Sequence, residues 1–362
     1  MALKITRLVI RDFRSYHSFE IEPDPMLTIL VGPNAAGKTN IVEAVQLVTA
    51  GDSFRRPQWA DLVRWGTHEA SIALIAEGDG RRLESVLTVS EAGRRVYRIN
   101  GKVRRRIAEV AGVIPCVAFT PDDLRIVKDS ADRRRGAIDA VGDQLSPAYM
   151  KARLHYERIV RQRNALLKNA SVEQDVLMAL TDRLISEGVA FIGHRRRLFE
   201  RLVAKMSEVY STLCPGEELT SSYVHSWERT GMVSGRSAEE TMRVAFVLKA
   251  AEERARGLTL FGPHRDEIAF AVNGREARSY ASQGQMRTIA LAWKLAEVGV
   301  ISEIAGQPPV LLLDDVMSEL DESRRHALAA FVGEAAQTFV TTTNIGYFEE
   351  ALVKRAKVVH IT

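Results

Sequence analysis

The segment Gly32-Pro33-Asn34-Ala35-Ala36-Gly37-Lys38-Thr39 constrains this chain more than any other. It fits G-x-x-x-x-G-K-[ST], the phosphate-cradling P-loop, a pattern that needs its context to carry weight. Ahead of it, Leu27-Thr28-Ile29-Leu30-Val31 is short, apolar and β-branched, as a buried strand is. Behind it, Ile41, Val42, Ala44, Val45, Leu47 and Val48 recur at the spacing of one helix face. Strand, glycine loop and helix start let backbone N–H groups and the helix dipole converge on an anion. A nucleoside triphosphate site is therefore expected over Gly32 to Thr39 and the following Asn40. Lys38 reaches the β- and γ-phosphates in such a loop, and the Thr39 hydroxyl ligates Mg²⁺. The alternative, a glycine turn that only caps a helix, explains neither flank.

At 362 residues the chain has room for two domains, or for one with a large insertion. A formal charge of +4 and a pI near 9.0 lean basic without choosing a partner, so the placement of the arginines matters more. Cys116 and Cys214 have no metal-ligand spacing, make no disulfide framework and suit a reducing cytosol. No apolar run approaches the ~18 residues that span a bilayer. Lys4 and Arg7 interrupt the apolar stretch 1–10, unlike a signal peptide. A cytoplasmic protein without membrane contact is expected.

Residues 3–16 read as a strand running into a loop, followed by a second strand over 19–22. Arg14, in Phe13-Arg14-Ser15-Tyr16, either reaches bound phosphate or is a solvated surface arginine. Alternating segments at 70–77, 82–89 and 95–99, separated by Gly78-Asp79-Gly80 and Glu91-Ala92-Gly93, predict an antiparallel meander. From 94 to 106, seven of thirteen residues are Arg or Lys and none is acidic. That run is a solvated face or a surface for phosphate backbones.

Past a short strand at 117–119, Ser146-Pro147 opens long helical patterns that run to about Leu213, broken near Asn169. Ser171-Val172-Glu173-Gln174 and Ser237-Ala238-Glu239-Glu240 are capping-box patterns for two further helices, the last ending at Gly257. Residues 219–227 read as a strand between them. The arginines of this part fit a packed helical subdomain with a charged outside, with or without one basic face for nucleic acid. From 258 strand character returns. The expected division is an ATPase head of 1–120 and 258–362 (lobe I) around an inserted, mainly helical lobe of 121–257 (lobe II).

Val310-Leu311-Leu312-Leu313-Asp314-Asp315 is an apolar strand ending in two carboxylates, a Walker B pattern. Asp314 is expected to hold the Mg²⁺, and Asp315 to act as base or to orient water, unless it is a helix N-cap. Ser282-Gln283-Gly284-Gln285 opens a helix between the P-loop and this strand, and Ser318-Glu319-Leu320-Asp321 follows the strand. P-loop, S-x-G-Q, Walker B and S-x-L-D is the order of ATP-binding-cassette ATPases, an α/β fold. There Ser282, Gly284 and Gln285 contact the γ-phosphate of ATP held by a second copy. Ser282 lies 243 positions after Thr39, far more than a transporter ATPase allows, so a lobe is inserted.

These motifs resemble the RecF family of SMC-like cassette ATPases over essentially the whole chain. The resemblance rests on Phe13-Arg14-Ser15-Tyr16, the P-loop, Ser53-Phe54-Arg55, Gly262-Pro263-His264-Arg265-Asp266, Ser282 to Gln285, Leu311 to Asp315 and Thr341-Thr342-Thr343. It implies an ATP-dependent homodimer that binds duplex or gapped DNA, at junctions of single and double strands. It also implies work with RecO and RecR to load a recombinase, and release on hydrolysis. Asp315 stands where most cassette ATPases carry Glu, which implies a slow ATPase. Thr343 or Asn344 stands where many relatives have a switch histidine. The family's second signature begins well at Pro121 and keeps Arg134, Arg135 and Asp139, but Asp129, Ala131 and Ala137 replace its Gly, Pro and aromatic residue. The role of Gly262 to Asp266 stays open between a structural turn and a catalytic part. An ATPase subunit of a transporter is the alternative reading.

Overall fold

The structure, a computed structural model, describes residues 2–169, 173–228, 237–334 and 336–362. The chain divides into two compact units, 1–125 with 287–362, and 126–286.

The first unit begins with β1 (Lys4–Phe13), β2 (Tyr16–Ile21), β3 (Leu27–Val31), α1 (Lys38–Thr49), β4 (Glu69–Gly78), β5 (Arg81–Ser90), β6 (Arg95–Ile99), β7 (Lys102–Arg104) and β8 (Cys116–Phe119). Six of these strands form an antiparallel sheet in the order β2-β1-β4-β5-β6-β7. The meander expected from 70 to 99 is there, with β1 paired to its first strand. The second strand starts at Tyr16, three residues before its expected start at 19, because Phe13 and Tyr16 already pair across the turn.

The second unit holds α2 (Ala131–Leu145), α3 (Pro147–Leu167), α4 (Gln174–Leu213), β9 (Leu219–Val224), α5 (Ala238–Leu248), α6 (Ala250–Arg256), β10 (Glu267–Val272), β11 (Arg275–Glu276), α7 (Ala277–Tyr280) and the start of α8 (Gln283–Ala305). Here the expected boundary moves from 258 to 286. Strand β10 pairs antiparallel with β9, so the strand character that returns after 258 completes the inserted unit's own sheet, β11-β10-β9. The capping box at Ser237 and Glu240 forms, but the third helix breaks at Lys249 into α5 and α6 before its left-handed cap at Gly257. Ser171 and Val172, half of the other expected capping box, lie outside the described residues.

The Gly262-Pro263-His264-Arg265-Asp266 stretch is a structural knot of this second unit. The Asp266 carboxylate is fully buried and accepts from Tyr223 Oη (2.8 Å), the backbone N–H of Ser226 (2.8 Å) and the His225 ring (3.2 Å). His264 accepts from Tyr156 Oη at Nδ1 (2.6 Å) and donates from Nε2 to the Thr259 carbonyl (3.2 Å). Buried Arg195 joins Asp139 (2.7 Å) to the Pro263 carbonyl (2.6 Å). Gly262 has φ +116°, and a Cβ there would stand 2.3 Å from Tyr156 Oη. Arg134, from the retained half of the second signature, spends its guanidinium on the Ile126, Val127 and Asp129 carbonyls and on Glu267.

The first unit then resumes with the rest of α8, β12 (Val310–Asp314), α9 (Glu322–Glu334), β13 (Thr338–Thr342), α10 (Glu350–Arg355) and β14 (Lys357–His360). Its five-stranded parallel sheet runs β14-β3-β13-β12-β8, every residue of β3, β12 and β13 being buried. Strands covered on both faces read as continuous apolar runs, as these do. Helix α1 packs against strands of both sheets, so its apolar surface is wide and even Glu43 within it is buried.

Candidate nucleotide site

The P-loop joins β3, flanked by β14 and β13 in the parallel sheet, to α1. Two glycines are obligatory for geometry. A Cβ on Gly32 would come within 2.1 Å of the Ile361 carbonyl oxygen, which follows the neighbouring strand β14. Gly37 has φ +96°, and a Cβ there would press on Ser15 Oγ and Tyr16 Oη at 2.9 Å. Between them Ala35 also takes a positive φ, +67°. No side chain caps α1, and its Asn40 N–H bonds the Gly37 carbonyl (2.9 Å), so the N–H groups ahead of Asn40 stay available to an anion.

Lys38 is buried and folds back, donating from Nζ to the Gly32 and Pro33 carbonyls at 2.8 and 2.7 Å. Thr39 Oγ1 donates to Asp314 Oδ1 at 2.8 Å, and Thr341 Oγ1 donates to the same oxygen at 2.8 Å. Asp315 stands next in the left-handed conformation (φ 52°), an unusual one that Asp tolerates better than most residues. Its N–H donates to Thr341 Oγ1 at 3.0 Å, and burial, reinforced by the Asp314 charge, raises its pKa. Lys38 opposes that shift. The N-cap alternative for Asp315 is not met by its side chain, which makes no capping hydrogen bond to the short helix that follows.

Three buried side-chain polar atoms among the described residues have no hydrogen-bond partner, and two of them, Tyr16 Oη and Asp315 Oδ1, border this site. Leaving such a group unsatisfied costs about 1–3 kcal/mol, so a pair of them at one place marks a site built for something else to bind. The Tyr16 hydroxyl is pushed up to about 12 by burial and stays protonated, a donor awaiting an acceptor.

Arg14 is neither solvated nor free for phosphate. It forks onto Glu43 at 2.9 and 3.1 Å and donates to the Asp61 carbonyl. Glu43 also accepts from Ser53 Oγ (2.7 Å) and Arg55 (3.3 Å), and Arg55 bonds Asn40 Oδ1 at 2.8 Å. Asn40 in turn donates to Ser15 Oγ. Sequence reasoning missed Glu43, although a lone carboxylate on the apolar face of the P-loop helix was the available signal. Through this network Ser53 and Arg55 hold the start of the P-loop helix from outside.

Ser282, Gly284 and Gln285 belong to the 126–286 unit, and Lys38, Thr39, Asp314 and Asp315 to the first. Ser282 and Gln285 form a capping box: Gln285 N–H donates to Ser282 Oγ (3.1 Å) and Ser282 N–H to Gln285 Oε1 (2.8 Å). Since Oγ accepts in this box, its own proton remains free to donate to an anion.

The chain matches the model of the RecF/RecN/SMC N-terminal domain over residues 4–362. It is 38% identical to the DNA replication and repair protein RecF of a Synechococcus strain, across 98% of this chain and 95% of that protein. The chain belongs to the RecF family. RecF of an Exiguobacterium strain is 37% identical across 100% of this chain and 97% of its own length. A solved structure of the recombination mediator protein RecF in the RecFOR pathway, described as RecF-ATPrS, superposes with a TM-score of 0.90 at 28% identity, covering 100% and 96% of the two chains. A second, described as RecF-ATP, gives 0.88 at 29%. An archaeal Smc head domain, 17% identical, shares the fold with a TM-score of 0.54. The family's members are replication and repair proteins, so the transporter reading is not carried further.

Proposed function

We propose that the chain is an ATP-dependent DNA-binding protein of recombinational repair and replication. Residues 32–40 hold ATP, Thr39 and Asp314 hold its Mg²⁺, and Ser282, Gly284 and Gln285 of a second copy close over the γ-phosphate. The resulting homodimer binds duplex or gapped DNA and works with RecO- and RecR-type mediators. The observation that carries the reading is the Thr39–Asp314 contact at the strand end, beside a glycine loop that opens a helix without a side-chain cap and whose lysine is held on the loop's own carbonyls. Hydroxyl and carboxylate oxygens are hard donors, and Mg²⁺ takes one or two carboxylates together with phosphate oxygens. When bound, the ion neutralises phosphate charge.

Lys38 exchanges the Gly32 and Pro33 carbonyls for phosphate oxygens, which are stronger partners for an ammonium. The unpartnered Tyr16 Oη and Asp315 Oδ1 gain polar partners at the same time. Asp315, its pKa raised by burial, orients or deprotonates water. Its side chain is one methylene shorter than Glu, and the hydrolysis it supports is slow. Arg14 acts by fixing α1 through Glu43 rather than by touching phosphate.

The test is solution mass with and without ATP and Mg²⁺. The wild-type chain becomes a dimer with nucleotide, while Ser282→Arg binds nucleotide and stays monomeric. A Ser282→Arg variant that still dimerises with ATP overturns the sandwich. DNA affinity that falls steeply between two salt concentrations supports phosphate-backbone binding.

A further inference from the structure

Trp65 stands apart from every other large apolar side chain described. It is 97% accessible, whereas the next such residue, Val247, reaches 73%. It is also held in place. Thr67 bonds the Arg64 carbonyl through both N–H and Oγ1, the Arg64 N–H bonds the Asp12 carbonyl, and Val63 bridges to Phe13. The neighbouring Leu62 is fully buried, so the turn is anchored while its indole projects. Six residues earlier, Trp59 carries the Arg95 guanidinium 4.2 Å above its ring. The turn between β5 and β6 packs on the same segment: a Cβ on Gly93 would touch Trp59 Cβ, and Glu91 N–H donates to the His68 carbonyl. Segments 55–67 and 90–95 therefore form one surface. Arg55 of this surface is committed to Glu43 and Asn40, which leaves Arg56, Arg64, Arg94 and Arg95 against only Asp61 and Glu91.

We infer that this surface is a nucleic-acid contact in which Trp65 stacks on an unpaired base while the surrounding arginines meet the strand's phosphates. A protein partner needs contiguous apolar area, and Trp65 is the one exposed large apolar residue in the two segments. Base stacking needs one exposed ring on an anchored segment and a cationic fringe, as here. The inference deepens the DNA-binding reading above and rests on it, adding the residue and the strand feature it detects.

Two labelled DNAs test it, a blunt duplex and the same duplex with a single-stranded extension, titrated into the full chain with ATP and Mg²⁺. The expected result is that Trp65→Ala weakens binding of the extended DNA about 5- to 100-fold, the loss of one stacked base, and changes blunt-duplex binding less than 3-fold. Trp65→Phe retains a ring and falls between. Indole emission is quenched by the extended DNA in the wild type, and that component disappears in Trp65→Phe. If the wild type binds both DNAs and Trp65→Ala matches it on each, the inference is overturned while the DNA-binding reading stands. If the wild type binds neither, the reading itself fails. If Trp65→Ala changes solution mass but not DNA affinity, the indole is a contact between copies and the inference is again overturned.

Discussion

The P-loop site and the Gly262–Asp266 knot are the two most conspicuous motifs of the chain, and their hydrogen bonds are opposites. In the knot the polar groups are paired with one another: Asp266 accepts three bonds, both ring nitrogens of His264 are engaged, and Arg195 donates four to Asp139, Tyr223 and Pro263. At the P-loop, Tyr16 Oη and Asp315 Oδ1 are buried without partners and a helix start is uncapped. Satisfaction, rather than motif strength, separates a fastening from a binding site. A network whose groups are paired with one another has little to offer a ligand, whereas an unsatisfied one carries a standing cost that a ligand relieves.

The contrast can be broken by mutation. The largest effect expected is on hydrolysis: Asp315→Asn lowers the ATP turnover number about 10²- to 10⁴-fold, the usual contribution of a general base, and leaves nucleotide affinity within a few-fold. Phosphate-release and nucleotide-binding assays read the two separately. Asp266→Ala should do the reverse, costing about 4 kcal/mol of unfolding free energy by stranding three buried donors, with nucleotide affinity unchanged. Loss of nucleotide binding at temperatures where the variant is folded would show that the knot is part of the site.

A pH titration sharpens the comparison. Burial pushes His264 down to about 4 from an ordinary value near 6.5, so the folded chain holds it neutral and the unfolded chain binds the extra proton. The stability it contributes is present above pH ~6.5 and is lost, by about 3 kcal/mol, as pH falls toward 4. Asp143, pushed up to about 6 by burial against the opposing pull of Arg153, titrates in the same window with the opposite sign. The measurement is therefore the pH dependence of unfolding free energy in wild type and His264→Gln, the wild type gaining about 3 kcal/mol more than the variant between pH 4 and 6.5. The smallest effect is that of Lys38→Ala, expected to weaken nucleotide binding about 10- to 100-fold, the worth of a charge-assisted contact, without moving the melting temperature of the nucleotide-free chain by more than ~3 °C.

Much of the first unit was legible because its strands are buried on both faces and its meander alternates cleanly. The Walker B carboxylates also arrive where the apolar run predicts. The second unit was harder to read. Helix α2 went unrecognised since Asp132-Arg133-Arg134-Arg135 hides its apolar face, and buried Arg134 spends its charge on backbone carbonyls that no pattern announces. The boundary at 258 failed for a related reason: alternation in 268–272 identifies a strand but not the sheet it joins. Arg14 was ambiguous in sequence because its partner, Glu43, stands 29 residues away inside an apolar helix face.

Strand β14 has a consequence for synthesis. Its residues pair with β3 from Lys357↔Thr28 to His360↔Val31, and the Ile361 carbonyl lies against Gly32. The phosphate loop thus leaves the ribosome more than 300 residues ahead of its flanking strand. Long-range parallel pairing is slow to form, and domains contiguous in the chain fold first. A nascent chain lacking β14 carries the whole G-x-x-x-x-G-K-[ST] motif with one side of β3 still open, so translation itself delays the triphosphate site until the 126–286 unit has had time to fold.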